Sequence, residues 1–391
     1  MDSWEKSNMT SSEIILNSIK TIINNEFIKE HQSLEDSDYA EIFKIARSHD
    51  ILPMVSEGLY KNNLLPANEI GDVFKQSQMT ALVRFSRFEQ ERTKLADIFE
   101  KNKIQYIFLK GSEINKYYPE NYMRTQCDID ILVKNEELGI VQEIFREQLG
   151  YEELEPEPHE VTYVSPMGVH IEVHFVLREE YNDDCDRLLS EVWNNVYLQE
   201  TSQYQCFIKS EFFLLYHIAH MAKHFINGGC GIKPFVDLWI INHRINVNVE
   251  EVKKLLQKCN LYTFYCQVEY LSEVWFGDMT HTEISKKIED YILNAGVYGT
   301  KENHAAMAQC RKGSRAKHLA ERIFLPYETI SRYYPIVKKY PIILPFAHIY
   351  RWCKVLFGKG REQALNEINL NLSIDEEKYR ETMNLYKKLR L

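Results

Sequence analysis

The stretch "CDIDILV" at residues 127–133 decides the fold, because it is a strand with two chemically different faces. Successive side chains of a β-strand point to opposite sides, so Asp128 and Asp130 share one face and Ile129 and Ile131 share the other. The isoleucines predict a face that is packed into a core. Two neighbouring carboxylates repel each other unless a positive group lies between them, and a divalent cation is the natural solution.

A second stretch, "GVHIEVHFVL" at 168–177, repeats this alternation. His170, Glu172 and His174 fall on one face, and the residues between them are apolar. If this strand lies beside 127–133, Glu172 becomes the third carboxylate of one cluster. The run "HIEVH" is not the H-E-x-x-H motif of zinc proteases, because the glutamate is misplaced and the β-branched neighbours predict a strand.

A third element, "LKGS" at 109–112, predicts a strand that stops at Gly111 and opens into a helix. Ser112 is expected at the N-cap of that helix, where a hydroxyl and backbone N–H groups face an anion. The stretch lacks the pattern of a Walker A loop and of a G-x-G-x-x-G loop.

The ordered set of strand, Gly-Ser, helix, D-x-D strand and later single carboxylate resembles the DNA polymerase β-type nucleotidyltransferase superfamily. Within it, "FLKGSEINKYYPENYMRTQCDIDILV" is similar to a branch of largely uncharacterised bacterial nucleotidyltransferases, as are "HIEVHF" and "HIAHMAKHF" with the later "GIKPFVDLW". The similarity is densest over residues 100–240. Fifteen residues separate Ser112 from Asp128, which is longer than the compact spacing of that superfamily.

The resemblance implies a role for each residue that matches the motif. Gly111 and Ser112 would hold the nucleotide phosphates, and Asp128 and Asp130 would ligate Mg²⁺, with Mn²⁺ as the alternative. Glu172 would complete a two-metal site and help to activate the acceptor hydroxyl. Glutamate stands here where aspartate is common in the superfamily, and the two are chemically compatible. In phosphoryl and nucleotidyl transfer, catalysis comes mainly from positioning of the reactants and from neutralisation of the phosphate charges by metal ions.

Several cations are further candidates for contacts to the triphosphate. Lys110 and Arg124 flank the motif, and fixed cations near a transferring phosphoryl group stabilise its transition state. Lys223 and Lys233, in the helical segment that follows, would line the nucleotide cleft. An ordinary salt bridge is the alternative for Lys110 and for Arg124.

The histidines leave their roles open. His170 and His174 are face-mates of Glu172 and would act as metal ligands, as supports of the ligands, or as neither. His217, His220 and His224 fall on one helical face. Lining of the nucleotide cleft, a zinc site or hydrogen-bonded interior histidines would each explain that second set.

Periodicity predicts an α+β protein, in which a small mixed β-sheet forms a nucleotidyltransferase core between helical N-terminal and C-terminal regions. The predicted boundaries are 1–101 for the first helical region, 102–205 for the core and 206–391 for the helical C-terminal domain. Residues 73–103 predict one long amphipathic helix that ends near Asn102. The apolar segment 340–357 carries charges and prolines, so we expect a buried helix after a turn rather than a membrane span.

The bulk properties narrow the functional class. The 391 residues carry a formal net charge of −10, which argues against a general nucleic-acid binder. Eight scattered cysteines with no C-x-x-C pair, and an N-terminus without a signal-peptide pattern, predict a cytoplasmic protein with no membrane partner. A basic stretch at 311–322 is either a solvated helix face or a contact for a polyanion such as RNA; its cations are Arg311, Lys312, Arg315, Lys317 and Arg322.

The sequence therefore predicts a Mg²⁺-dependent enzyme that transfers a nucleoside monophosphate from an NTP to an unidentified acceptor and releases pyrophosphate. The acceptor is a small molecule, a protein or an RNA, and its identity and the oligomeric state are not encoded in the motif. Two alternatives are a catalytically idle nucleotide- or partner-binding module and a metal-dependent phosphohydrolase that uses the face of His170, Glu172 and His174.

Overall fold

A computed structural model describes residues 9–29, 32–154, 159–199, 202–296, 324–357 and 376–391. The described chain begins with four helices. A capping box of Thr10 and Glu13 starts the first of them, and Asn68 caps the fourth. The fourth confirms the long helix expected over residues 73–103, and it begins four residues earlier than expected. These helices are α1 (Ser11–Asn24), α2 (Asp36–Ser48), α3 (Leu52–Lys61) and α4 (Glu69–Asn102).

A mixed five-stranded sheet follows α4 and confirms the predicted α+β class. Its spatial order is β1-β2-β5-β4-β3, and only the central pair β2–β5 is parallel. The strands are β1 (Tyr106–Phe108), β2 (Asp128–Val133), β3 (Glu152–Glu153), β4 (Glu160–Val164) and β5 (His170–His174).

Short helical segments connect the first strands. The four-residue α5 (Gly111–Ile114) follows β1, and α6 (Leu138–Glu143) follows β2 and runs on into a π-helical turn, Ile144–Gln148. The turn between β4 and β5 contains Gly168 with a φ of 75°, a left-handed conformation that glycine adopts without strain. This turn confirms the predicted hairpin.

One face of the sheet packs against α4 and α6, as the alternation in the strands predicts. Ile129, Ile131 and Ile171 are fully buried there, together with Leu95 and Phe99 of α4. Because the period of a strand is two, the residues between these isoleucines must emerge on the opposite face. That opposite face carries Asp128, Asp130 and Glu172.

Helices return after the sheet, with a two-stranded hairpin between the first two of them. The hairpin joins β6 (Val196–Leu198) to β7 (Cys206–Ile208). The helices are α7 (Asp183–Leu189), α8 (Ser210–Ile226), α9 (Lys233–Arg244), α10 (Val249–Lys258), α11 (Tyr262–Phe276) and α12 (Glu283–Ala295).

The remaining described residues form α13 (Tyr327–Tyr333), α14 (Pro335–Lys339), α15 (Leu344–Phe357) and α16 (Glu376–Leu389). A helix does follow a proline-marked turn within 340–357, as expected. The expectation that this helix is buried is wrong, because Phe346, Ile349 and Tyr350 are between 52% and 70% exposed. Within the described ranges, no helix combines the length and the hydropathy needed to cross a bilayer.

The chain divides into two compact units. The first falls within Met1–Lys223 and Cys230–Val297, and the second is made mainly of Tyr298–Leu389. The first unit contains the sheet, the four helices that precede it and most of the helices that follow it. The three-part division at residues 101 and 205 stays a prediction. The basic stretch 311–322 lies outside the described residues.

Candidate active site

The parallel pairing of β2 and β5 brings three carboxylates to one face of the sheet. Asp130 is the register partner of Glu172, and Asp128 is the partner of His170. Asp130 is buried, whereas Asp128 and Glu172 are partly exposed. The sequence predicted that Asp128, Asp130 and Glu172 lie close together. The observed register of β2 and β5 brings them together.

His174 joins this cluster from the end of β5. Its Nε2 lies 3.0 Å from Asp130 Oδ1 and 3.7 Å from Glu172 Oε2, and its Nδ1 lies 3.0 Å from Glu160 Oε2. Burial opposes a charge on this imidazole, but the hydrogen bonds to Asp130 and Glu160 raise the pKa of His174 to about 9. The ring therefore carries a proton at neutral pH and neutralises part of the acidic cluster.

Lys110 supplies a second positive charge. Its Nζ lies 2.7 Å from Asp130 Oδ1, and its side chain is 24% exposed. Burial alone would raise the pKa of Asp130, but Lys110 and His174 hold it well below its usual range. Asp130 is thus a permanent carboxylate with two cationic neighbours.

The other two carboxyl groups are affected in the opposite direction. Burial and the neighbouring charge of Asp130 raise the pKa of Asp128. Burial, followed by Asp130 and Asp128, raises the pKa of Glu172 to about 8. Both shifts express an excess of negative charge that Lys110 and His174 do not cancel, so the site favours an added cation.

The donor set fits a divalent metal ion, although its membership differs from the prediction. Ligand atoms of Asp130, Glu172 and His174 all lie within 4.8 Å of one another, and Asp128 is not in that group. Two carboxylates and an imidazole suit several divalent ions. Asp128, predicted as a ligand, lies two register positions before Asp130 in the strand pair, and its ligand role stays a prediction.

Beside these acids, the turn after β1 holds buried polar atoms without partners. The hydroxyl of Ser112 and both amide atoms of Gln126 have no hydrogen-bond partner, and both side chains are over 90% buried. A Cβ atom on Gly111 would lie 2.9 Å from Gln126 Oε1, so Gln126 presses against this turn. Buried polar groups are costly unless they find a partner, so these atoms are suited to a polar ligand.

The expectation that Ser112 caps the helix is wrong. The cap position is Lys110, with a φ of 46°, and Ser112 is the second residue of α5. Since α5 has only four residues, its dipole is short. The side chains of Ser112 and Gln126, rather than the helix end, give this turn its polar character.

A family model described as an uncharacterised nucleotidyltransferase matches residues 35–277, which is more than half of the chain. The chain belongs to this nucleotidyltransferase family. It is therefore an enzyme of the transferase type, and the carboxylate cluster and the turn at Gly111 both lie within the matched segment. Searches of curated proteins and of solved structures found no match.

Arg124 of this nucleotidyltransferase holds the loop that leads into β2. Its Nε and Nη2 lie 3.0 and 2.8 Å from the two carboxylate oxygens of Asp237, and its Nη1 donates to the carbonyl of Thr125. The Tyr118 hydroxyl donates to Asp237 from the other side. The structure thus places Arg124 in a buried ion pair, and its predicted contact with a triphosphate stays a prediction.

In this nucleotidyltransferase, two side chains of α8, His220 and Lys223, contact the carboxylate of Glu179. The buried carboxylate of Glu179 lies 3.0 Å from His220 Nδ1 and 3.2 Å from Lys223 Nζ. Burial opposes its charge, but His220 and Lys223 hold the pKa of Glu179 well below its usual range. Glu179 therefore fixes the side chains of His220 and Lys223, and Lys223 remains a candidate for phosphate contact.

The remaining predicted residues have protein partners or lie apart. His217 Nε2 is 3.0 Å from the carbonyl of Pro234, and Lys233 pairs with Asp50. Among the described residues the Asp130 cluster is the one group with three metal-ligating side chains, so the structure supports no zinc site at His217, His220 and His224. His170 is exposed at the start of β5.

Sequence reasoning missed Gln126, Glu160 and Glu179. Gln126 sits in an irregular loop that shows no periodic pattern. Glu160 faces His174 across an antiparallel pair, a relationship that only the strand register reveals. Glu179 follows β5 in a charged run, "REE", where nothing distinguishes a buried glutamate from an exposed one.

Proposed function

We propose that this nucleotidyltransferase transfers a nucleoside monophosphate from an NTP to a hydroxyl or phosphate oxygen of an acceptor. The acceptor oxygen forms a bond to the α-phosphorus, the bond from that phosphorus to the β-phosphate oxygen breaks, and pyrophosphate leaves with the bonding electrons. The observation that carries this proposal is the convergence of Asp128, Asp130 and Glu172 on one sheet face beside the turn at Gly111.

In this proposal Asp130, Glu172 and His174, with Asp128 nearby, would hold Mg²⁺ or Mn²⁺. Such an ion would neutralise charge on the phosphates and polarise the reacting oxygens. The raised pKa of Glu172 supports the assignment, because a carboxyl group that resists ionisation among like charges gains most from a bound cation. His174 would give up its proton on ligating the ion.

The turn after β1 would bind the phosphates. The unpartnered hydroxyl of Ser112 and amide of Gln126 would donate to phosphate oxygens, and Gly111 lets the two side chains approach. Lys110 stands between this turn and Asp130, where its ammonium group can face phosphate and carboxylate alike. Lys223 would approach the same ligand from α8.

Glu172 would also accept the proton of an acceptor hydroxyl. Its carboxylate lies on the same sheet face as Asp128 and Asp130, so a hydroxyl that reaches the metal site would also reach this proton acceptor. Asp130, whose pKa is held low, remains ionised throughout and is suited to charge stabilisation instead.

The test is incubation of the protein with each NTP labelled at the α-phosphate, with Mg²⁺ and a cell extract as the source of acceptors. We expect the α-phosphate label to move to an acceptor in wild type. In the variant that combines Asp128→Asn and Asp130→Asn, the label should stay in the NTP. Glu152→Gln, on the exposed strand β3, is the matched control and should transfer the label normally. Label transfer that survives the double change would exclude this mechanism.

Product analysis in the same reaction separates the two alternatives. His174, which lies within the metal-ligating group, is the feature that favours a phosphohydrolase. That enzyme would release inorganic phosphate and label no acceptor, with dependence on Mn²⁺, iron or zinc. An idle module would bind NTP and turn over none of it.

A further inference from the structure

An open groove runs beside the active-site end of the sheet, between the middle of α4 and the turn that starts β5. Its volume is about 620 Å³. Its lining includes Met79, Val83 and Arg84 of α4, Met167 of the β4–β5 turn, and Cys127 and His170 at the starts of β2 and β5. We call this feature the α4 groove. Its volume falls within the range typical of small-molecule sites, about 300–1,000 Å³.

Part of the groove wall is apolar where a soluble helix is normally polar. Met79 is 62% exposed, Val83 51% and Met167 47%, and Phe88 closes the floor. Three large apolar side chains that converge on one cavity differ from the scattered exposed residues of an ordinary surface. They provide a wall for the apolar part of a ligand.

The same wall is positively charged. Residues 73–88 contain Lys75, Arg84 and Arg87 and no acidic residue, although the whole chain has a net charge of −10. Lys75 pairs with Asp72 outside the groove. Arg84 and Arg87, both exposed groove residues, take part in no ion pair with any described residue, and the Arg84 guanidinium lies 5.6 Å from the centre of the Phe88 ring. Arginine in this setting suits a carboxylate or phosphate.

Two lining residues of the groove neighbour the carboxylates. Cys127 directly precedes Asp128, and His170 is the register partner of Asp128. Glu172 lies two residues beyond His170, which is about 7 Å along a strand. A molecule held by the arginines and extending to His170 would therefore place its far end beside the catalytic acids.

We propose that the α4 groove binds the acceptor, and that the acceptor is a small amphipathic anion. This inference rests on the proposed nucleotidyl transfer. The carboxylate or phosphate of the acceptor pairs with Arg84 and Arg87, its apolar body lies on Met79, Val83 and Met167, and a hydroxyl at its other end reaches Asp128 and Glu172. That hydroxyl oxygen forms the new bond to the α-phosphorus while the bond from this phosphorus to the β-phosphate oxygen breaks. Pyrophosphate leaves with the bonding electrons, and the hydroxyl proton passes to Glu172.

A nucleic-acid strand fits the groove less well. A polyanion is held by a track of cations along successive phosphates. The α4 groove offers two arginines three residues apart on one helix, together with apolar side chains. Two adjacent guanidinium groups match one anionic group on one small molecule.

Binding measurements by titration calorimetry test the groove without any turnover. The probes are hexyl phosphate, hexanoate, hexanol, inorganic phosphate and a ten-nucleotide single-stranded RNA, each added to the full-length protein. We expect saturable binding of hexyl phosphate or hexanoate, at least tenfold tighter than that of hexanol and of inorganic phosphate. A comparison of the affinities for hexyl phosphate and hexanoate identifies whether the arginines select a phosphate or a carboxylate.

The variant Arg84→Gln/Arg87→Gln should weaken the tighter anionic probe at least tenfold. Lys75→Gln/Lys101→Gln removes the same charge from exposed positions of α4 outside the groove and should leave that affinity unchanged. Equal losses in both double variants, a tighter anionic probe that binds no better than inorganic phosphate or hexanol, or no saturable binding of either anionic probe would overturn the proposal. RNA that binds more tightly than both probes and depends on Arg84 and Arg87 would also overturn it.

A separate titration with a fluorescent NTP analogue keeps this inference distinct from the proposed reaction. The arginine double variant should bind the analogue as wild type does, because the turn at Gly111 is intact. If the groove binds its anionic probe but no NTP labels any acceptor, the proposed reaction fails and the groove remains a ligand site. If labelling proceeds equally well in the arginine variant, the groove is not the acceptor site.

Discussion

Asp130 and Glu172 occupy opposite positions in the parallel register of β2 and β5, and each faces away from the buried isoleucines of its own strand. The pairing places two carboxylates side by side at the centre of a sheet. Lys110 and His174 compensate Asp130, while Glu172 retains a pKa of about 8. The fold therefore holds Glu172 close to carboxylates that repel its negative charge. Strongly perturbed carboxyl groups of this kind are characteristic of functional sites.

Replacement of Glu172 by glutamine should stabilise the fold at alkaline pH. Because the folded protein holds the proton of Glu172 up to about pH 8, whereas an unfolded chain loses it near 4.5, wild-type stability declines as the pH rises between these values. The amide has no charge to suppress, so Glu172→Gln should be about 1–3 kcal/mol more stable than wild type at pH 9 and equal to it at pH 4. Urea denaturation at both pH values measures this difference.

Glu152→Gln, at an exposed strand position, is the control and should change stability by less than about 0.5 kcal/mol at either pH. The glutamine variant should also lose nucleotidyl transfer. A variant that is less stable than wild type at pH 9 would show that Glu172 is not under electrostatic stress.

Substitution of Gly111 by alanine should destabilise the start of α5, where Gly111 is the first residue. The new methyl group would meet Gln126 Oε1 at 2.9 Å and Arg124 Nη1 at 3.0 Å, and Arg124 is fixed by Asp237. Overpacking of this kind costs about 1–3 kcal/mol. Gly139→Ala in α6 is the matched control, since no atom lies within 4 Å of its Cβ position and a helical alanine gains about 0.5–1 kcal/mol.

Thermal unfolding of the two alanine variants should thus shift in opposite directions. Affinity for a fluorescent NTP analogue should fall in Gly111→Ala, because Gln126 must move, and stay unchanged in Gly139→Ala. If Gly111→Ala proves neutral in both measurements, the turn is not as tightly packed as the distances indicate.

Much of this architecture could be predicted from local patterns. The alternation in "CDIDILV" and "HIEVH" correctly placed the isoleucines inside and the acids outside, since a period of two needs no knowledge of the rest of the chain. The long helix α4 and the β4–β5 hairpin were recognised for the same reason. Each is determined by residues close together in sequence.

What depends on contacts distant in sequence could not be predicted. Arg124 and Asp237 are 113 residues apart, and nothing in either segment shows that the guanidinium is used internally. The protonated state of His174 arises from Glu160 and Asp130 together, two residues on different strands. The exposure of Phe346 and Tyr350 contradicted an expectation based on hydropathy alone, because hydropathy does not reveal whether a helix has neighbours to pack against.

Breaking the ion pair between Arg124 and Asp237 should cost far more than removing a surface pair. Both side chains are largely buried, with 12% and 3% exposure, and the hydroxyl of Tyr118 depends on the same carboxylate. Asp237→Asn leaves a buried guanidinium without its counter-charge, which costs about 3–5 kcal/mol. Arg187→Gln removes a pair with Asp184 that is more than 60% exposed, and should cost less than about 1 kcal/mol.

A double-mutant cycle with Arg124→Met and Asp237→Leu identifies the cause. If burial of an unpaired charge is responsible, the double variant should be at least about 1 kcal/mol more stable than the sum of the single losses predicts. Strict additivity of the two losses would show that each side chain acts through separate packing contacts.

His49 should make the protein sensitive to mild acid. The side chain is fully buried, its Nδ1 accepts a hydrogen bond from the backbone N–H of Ile232, and burial lowers the pKa of His49 to about 4. An unfolded chain takes up this proton near pH 6.5, so the stability contributed by the neutral ring is complete above that pH and is lost as the pH falls towards 4. Between pH 7 and pH 5 the loss from this one residue is about 2 kcal/mol.

His49→Gln keeps an acceptor for Ile232 and has no proton to gain, so its stability should decline less steeply between pH 7 and pH 5 than that of wild type. Urea denaturation at intervals of half a pH unit gives the two slopes. Burial also lowers the pKa of His217 to about 4, and the part of the decline that persists in His49→Gln should disappear largely when His217→Gln is added. His170→Gln, at an exposed position, should retain the wild-type slope. Identical slopes in wild type and in His49→Gln would show that His49 titrates normally, and that the acid sensitivity of the fold arises elsewhere.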